Sequence, residues 1–320
     1  MNAFVARERS RQIAARDAGL FPRAGTTPGV ARGREYPFVL PADCRDENLA
    51  PEIRADALTY FERHGITWHT MSHHLLSSQV CCINHLMPFA RRPDALARLL
   101  TPIFGPGIEM LPITGDGLDG DDWFVGFEFV GDGHDCLGEG SGRPLTRGAN
   151  CTSCDAVVRF RRDGRTETVL IEWKYTESYS DHGPRSGDLT REARYRHLLE
   201  APDGPLRDPM AVPFAAYLVD PFYQFMRQQL LAHELEKIGI LESDIVRVLH
   251  LAPAANLAFR RTPVKAFQPF GMETTGAWRS LLALPDRFES RSIEDVFGVQ
   301  DEEIARILDY ASRRYQFAAR

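Results

Sequence analysis

Two apolar runs, Cys154–Phe160 (CDAVVRF) and Val169–Tyr175 (VLIEWKY), flank the polar segment RRDGRT, whose Asp163-Gly164 pair is a turn signal. The pattern predicts an antiparallel hairpin. Strand side chains alternate, so Glu172 and Lys174 share one side and Trp173 takes the other. Asp155, on the partner strand, lies near them when the register allows. Upstream, Leu75, Leu76, Val80, Ile83, Leu86 and Met87 recur at helical spacing, with Ser72 as the expected N-cap. Gln79 falls on or beside that apolar face, where it needs either a partner in the core or a role at a central site. The run Trp123–Val130 (WFVGFEFV) has the continuous apolar character of a strand buried on both faces. Glu128 interrupts it, a costly carboxylate unless paired, protonated or bound to a metal.

Elsewhere the pattern is plainer. Residues 51–65 predict a helix stopped by Gly65, and Ile108–Ile113 predicts a short strand. Asp220–Ile238 predicts a strong helix with an Asp cap, a proline in its first turn and Gly239 at its end. Gln224, Arg227 and Gln228 lie on one side of it and need partners within the fold. Ile245–Leu251 predicts a further strand. The polar stretch 176–209 carries a helix at Leu189–Leu199, and two or three helices follow in the tail to Tyr315. Residues 131–150, including Asp132, His134 and Glu139, are expected to be a solvated loop. Helix, strand, strand, strand, helix, strand defines an α/β domain around one mixed sheet. The expected organisation is an arm over 1–50 (partly disordered, or helical over Ala3–Ala18), a main domain over 51–290 and a helical extension over 291–320.

Composition narrows the partners only a little. The 320 residues carry a formal charge of −6, with 43% hydrophobic and 26% charged residues, ordinary values for a globular chain. No global basic field advertises nucleic acid, although a local arginine groove is compatible with these totals. No run approaches the roughly 20 apolar residues of a membrane span, and no apolar secretory segment opens the chain. A cytoplasmic protein without a membrane partner is expected. The six cysteines are then expected to be thiols. Cys151-x-x-Cys154, with Cys81-Cys82 and Cys136, leaves a metal or cluster site open, against the plainer reading of small buried side chains.

The hairpin holds the candidate chemistry. Asp155 and Glu172 are hard oxygen donors suited to Mg²⁺, with Mn²⁺ as a substitute, and the Trp173 carbonyl could add a third oxygen. Lys174 beside them could orient a water, favour its hydroxide form or neutralise a phosphorane-like transition state. Glu128 could supply another carboxylate or hold a second ion. With 44 acidic residues in the chain, Glu-x-Lys alone is weak evidence, and a cross-strand salt bridge is the structural alternative.

Taken together, Thr152-Ser153-Cys154-Asp155 followed by Ile171-Glu172-Trp173-Lys174 resembles the PD-(D/E)XK nuclease superfamily, with cysteine in place of the motif's proline. His74-Leu-Leu-Ser-Ser-Gln79, residues 152–156 and Tyr223-Gln224-x-x-Arg227 are similar to a bacterial restriction-endonuclease-like family, over roughly residues 55–285. The resemblance implies an αβββαβ core with a central mixed sheet flanked by helices. It implies Asp155 and Glu172 as ion ligands, Lys174 as catalytic lysine, and Gln79 and Gln224 as supporting residues. The expected activity is a Mg²⁺-dependent DNA endonuclease that hydrolyses phosphodiesters with a metal-activated water, possible as a homodimer. Arg159, Arg161, Arg162, Arg185, Arg194 and Arg227 would then form the groove for DNA. The alternative is a catalytically silent nuclease fold that binds DNA or another partner.

Overall fold

A computed structural model describes residues 2–118, 120–149, 151–180, 187–298 and 301–317. A small ribbon, β1 (Gly29–Ala31) with β2 (Arg34–Tyr36), precedes the main sheet. That sheet comprises β3 (Glu109–Leu111), β4 (Val125–Phe129), β5 (Cys154–Arg162), β6 (Arg165–Trp173), β7 (Ile245–Ala252) and β8 (Phe288–Ser292). β5 and β6 are the expected hairpin. Asp163 and Gly164 turn it with φ of 52° and 74°, the two positive values that a primed two-residue turn requires. β3 and β4 lie end to end along the outer edge of β5, both antiparallel to it. β7 and β8 add in parallel beyond β6, so the sheet is mixed. β8 carries too little apolar alternation to stand out in the sequence (FESRS), and was not expected.

Alternation along the strands feeds two cores. Ala156, Val158 and Phe160 of β5, with Val169, Ile171 and Trp173 of β6, pack on one face. Against them lie α3 (Ser78–Leu86) and α4 (Pro93–Phe104), preceded by α1 (Ala3–Asp17) and α2 (Arg54–Arg63). Val157, Leu170, Val246 and Val248 face the other way, onto α7 (Phe222–Lys237), with α5 (Asp188–Leu199) and α6 (Phe214–Tyr217) nearby. Burying each large apolar side chain in these layers is worth roughly 1.5–3 kcal/mol. α7 fills the connection between β6 and β7 that parallel strands demand.

Two expectations need correction. Ser72 does not cap the second helix: Ser77 does, its hydroxyl accepting from Val80 N–H, and the residues between form turns. Asp220 is likewise not the cap of α7, whose N-cap is Pro221. Of the two readings of the arm, residues 3–17 take the helical one. α1 buries Phe4, Glu8, Gln12 and Arg16, spaced by four along one face. Its polar members find partners: Tyr175 Oη donates to Glu8 at 2.9 Å, and Arg314 Nε donates to Gln12 at 3.0 Å. Arg314 belongs to the helix Asp309–Tyr315, which is thereby tied to α1. Three of the four members of the buried stripe are polar, and so the hydrophobic pattern left a helix and a partly disordered arm both open.

Candidate active site

The edge formed by the start of β5 and the end of β6 gathers most of the expected residues. Asp155 stands opposite Glu172, one step beyond the Ala156–Ile171 pair. Its Oδ2 accepts from the Trp173 amide at 2.6 Å, so Trp173 meets the site through its backbone while its indole is buried on the other face. Lys174 Nζ lies 2.5 Å from Glu172 Oε1. Glu172 Oε2 accepts from Gln228 Nε2 at 2.8 Å, and the same amide reaches the carbonyl of Ser153. The two strands and α7 therefore fix both oxygens of Glu172.

Glu128 enters from β4. It stands across from Asp155 but adopts φ of 50°, a left-handed conformation that is strained for a residue with a side chain. Gln79 Nε2 donates to its Oε1 at 2.7 Å and Ser153 Oγ to its Oε2 at 3.0 Å. Gln79 Oε1 in turn accepts from the His69 amide at 2.9 Å. Gly148 passes close above: a Cβ there would stand 3.5 Å from the Glu128 carboxyl and 2.8 Å from the Thr67 carbonyl. Glycine is needed at this position both for that approach and for its φ of +75°.

The electrostatics are lopsided. Three carboxylates (Glu128, Asp155, Glu172) face one ammonium (Lys174). Burial, and then the charge of Glu172, push Asp155 well above the ordinary carboxylate range. Burial also raises Glu128, against the hydrogen bonds from Gln79 and Ser153. Burial works to lower Lys174, but Glu172, Tyr179 and Asp155 outweigh it and hold the ammonium well above its usual range. His250, the register partner of Glu172 on β7, is lowered to about 3 by burial and by the charge of Lys174, so it stays neutral.

Gln224 does not reach the acids. Its amide donates to Tyr179 Oη at 3.0 Å and to Asp220 at 3.3 Å, and Tyr179 is what lies in the field of Lys174. One turn on, Gln228 is the residue that touches Glu172. The sequence marked it as needing a partner, and the i, i+4 relation to Gln224 was the available signal. Glu139 is also not a solvated loop residue. It accepts from Thr152 Oγ1 at 2.8 Å and from Tyr195 Oη, and lies 3.4 Å from Arg227.

The arginine groove does not form as expected. Arg159, Arg161 and Arg162 stand toward the turn end of the hairpin, where Glu242, Glu109 and Glu167 engage them. Arg227 is near the acids but tied to Thr152 and Glu139. Arg194 lies over the Tyr195 ring, and Arg185 is outside the described residues. Cys81, Cys82 and Cys154 are fully buried, and Cys151 donates to the Thr146 carbonyl. Among the described residues no three His, Cys, Asp or Glu side chains gather about one point at ligand distance.

A mixed sheet flanked by helices, with an acid opening one strand and Glu-x-Lys closing the next, is a restriction-endonuclease-like architecture. The chain belongs to the family described as restriction endonuclease associating with ARP, whose model matches residues 7–316. That span takes in α1 and the helix Asp309–Tyr315 as well as the sheet. The chain matches no curated protein and no solved structure. Among the described residues, no helix is long and apolar enough to cross a membrane.

Proposed function

We propose that this chain is a metal-dependent DNA endonuclease of the PD-(D/E)XK type. The observation that carries the reading is the excess of carboxyl groups over bases at the strand ends, where Asp155 and Glu128 stand in the field of the buried Glu172–Lys174 pair. A structural ion pair needs one acid per base; additional buried carboxylates raise the energy of the fold unless a cation joins them. The donor set fits Mg²⁺ or Mn²⁺: all oxygen, anionic, and held in place by amide and hydroxyl donors. Asp155 and Glu172 would hold the ion, with Glu128 beside them, and Mg²⁺ commonly takes one or two carboxylates with waters and substrate completing its shell. When bound, such an ion supplies Lewis-acid polarisation of a phosphodiester and hydroxide at neutral pH.

The protein's own groups do the rest. Gln228 and the Trp173 amide fix the carboxylate orientations, as supporting donors around metal ligands do. Lys174, kept charged by Glu172, places a positive charge where negative charge builds on a phosphoryl group. Gln79 holds Glu128 in its strained conformation. The family description adds association with an ARP, and we extend that partner to this chain as part of the proposal.

Incubation with supercoiled plasmid and Mg²⁺ tests the reading. The wild-type chain is expected to nick or linearise the DNA, and Asp155→Ala and Lys174→Ala each to lower the rate by at least about 10²-fold. Undiminished cleavage by either variant sinks the assignment. DNA binding that ignores Mg²⁺, with no cleavage of any substrate, supports the silent-module alternative instead.

A further inference from the structure

With the hairpin arginines committed elsewhere, a polyanion needs another contact near the acids. A hollow of about 620 Å³ opens beside them, between the loop that carries Glu139 to Ala149 and the chain at Cys151. Its inner wall belongs to the site. Glu139 anchors Thr152, whose neighbour Ser153 donates to Glu128, and Gly148 in the same loop covers the Glu128 carboxyl. Cys151 precedes Asp155 by four residues, which puts the two Cα atoms within about 14 Å.

Arg143 lines this hollow. Its amide donates to the Gly140 carbonyl, but its exposed guanidinium has no ionic partner among the described residues. The contrast with its neighbours is sharp. Arg147 is bound to Asp116 at 2.9 Å and Arg227 to Thr152 at 2.8 Å, so neither charge is available. The charge of Glu139 on the same wall is offset by Arg227 at 3.4 Å.

We propose that this hollow seats the DNA nucleotide next to the scissile phosphodiester, with Arg143 contacting its phosphate. The inference rests on the nuclease reading given above. A guanidinium suits the role because its fork of donors matches phosphate oxygens. The volume of the hollow is enough for a nucleotide, and Ser141 and Thr146, which line it, carry hydroxyls that can serve the sugar and base edges.

Binding of a fluorescent duplex and of the corresponding single strand, in Mg²⁺ and across a salt series, tests it with the Lys174→Ala chain as a non-cleaving parent. Adding Arg143→Ala is expected to weaken binding about tenfold and to lower the slope of log K against log salt by about one, the signature of one lost phosphate contact. Arg143→Lys is expected to recover most of the slope, and Arg161→Ala, toward the far end of the hairpin, to change neither quantity. Parent binding that is insensitive to Arg143→Ala, or equally sensitive to Arg161→Ala, overturns the seat and leaves the nuclease reading standing. A parent that binds neither form of DNA overturns both.

Discussion

Both ends of the β5–β6 hairpin gather charged side chains, and they use them in opposite ways. Toward the turn, Glu167 is held between Arg162 at 2.7 Å and Arg247 at 2.6 Å, and Arg161 meets Glu109 at 3.5 Å. Arg159 meets Glu242 at 3.2 Å. Each base has an acid, and the cluster ties β3, β5, β6 and β7 together. At the other end the one lysine pairs with Glu172 alone, and Glu128 and Asp155 are held by neutral amides and a hydroxyl. Charge density therefore does not distinguish a site from a brace. Imbalance does: neutral donors hold the acids in place without cancelling their charge, and that leaves room for a cation.

Breaking the balanced end should have the largest effect on stability. Glu167→Gln leaves the buried Arg247 and the half-buried Arg162 without their shared acid and is expected to cost about 3 kcal/mol in urea denaturation, while the folded fraction still cleaves. Loss of cleavage out of proportion to unfolding would show that the two ends are not independent. Next comes Gln228→Ala, expected to lower the cleavage rate about 10–100-fold by releasing Glu172. Gln224→Ala, acting only through Tyr179, should have a smaller effect, and the reverse ranking would restore Gln224 as the nearer residue. The smallest effect has the opposite sign. In chelator, Asp155→Asn keeps an oxygen for the Trp173 amide but removes a carboxyl that burial and Glu172 make costly to ionise, and it is expected to stabilise the fold by about 1 kcal/mol. Added Mg²⁺ should raise the melting temperature of the wild type and not of this variant, closing or reversing the gap. A destabilised Asp155→Asn in chelator would mean that the acids are already balanced.

Much of this was legible in the residues. Asp163-Gly164 fixed the hairpin because few residue pairs accept two positive φ values, and the period of two placed Glu172 and Lys174 together. Gln79 could be singled out because a polar side chain on an apolar helical face needs a reason. What stayed hidden depends on contacts distant in sequence. The acids that neutralise Arg159, Arg161 and Arg162 come from residues 242, 109 and 167, and no local pattern of β5 announces them. The choice between Gln224 and Gln228 is a matter of helix rotation, and Tyr179 intercepts the first. Glu128 was visible as an anomaly, but not its left-handed backbone, since a carboxylate in an apolar run shows its cost and not its conformation. The helix over residues 3–17 was legible as one reading of the arm but its burial was not, because its buried stripe includes Glu8, Gln12 and Arg16, side chains that pattern arguments assign to solvent.

That stripe bears on when the protein can exist during its own synthesis. Tyr175 directly follows Lys174, and its hydroxyl is shared with Glu8 and Gln12; Gln12 in turn is bound by Arg314, which also donates to the Asn48 carbonyl at 2.5 Å. A nascent chain that has not yet released Arg314 from the ribosome lacks the cation on which this buried knot converges. The knot at Tyr175, the residue after the lysine, is complete only when the first helix and a segment some 300 residues later meet. Partial chains and early truncation products are thus the forms least able to present an ordered cluster of Asp155, Glu172 and Lys174.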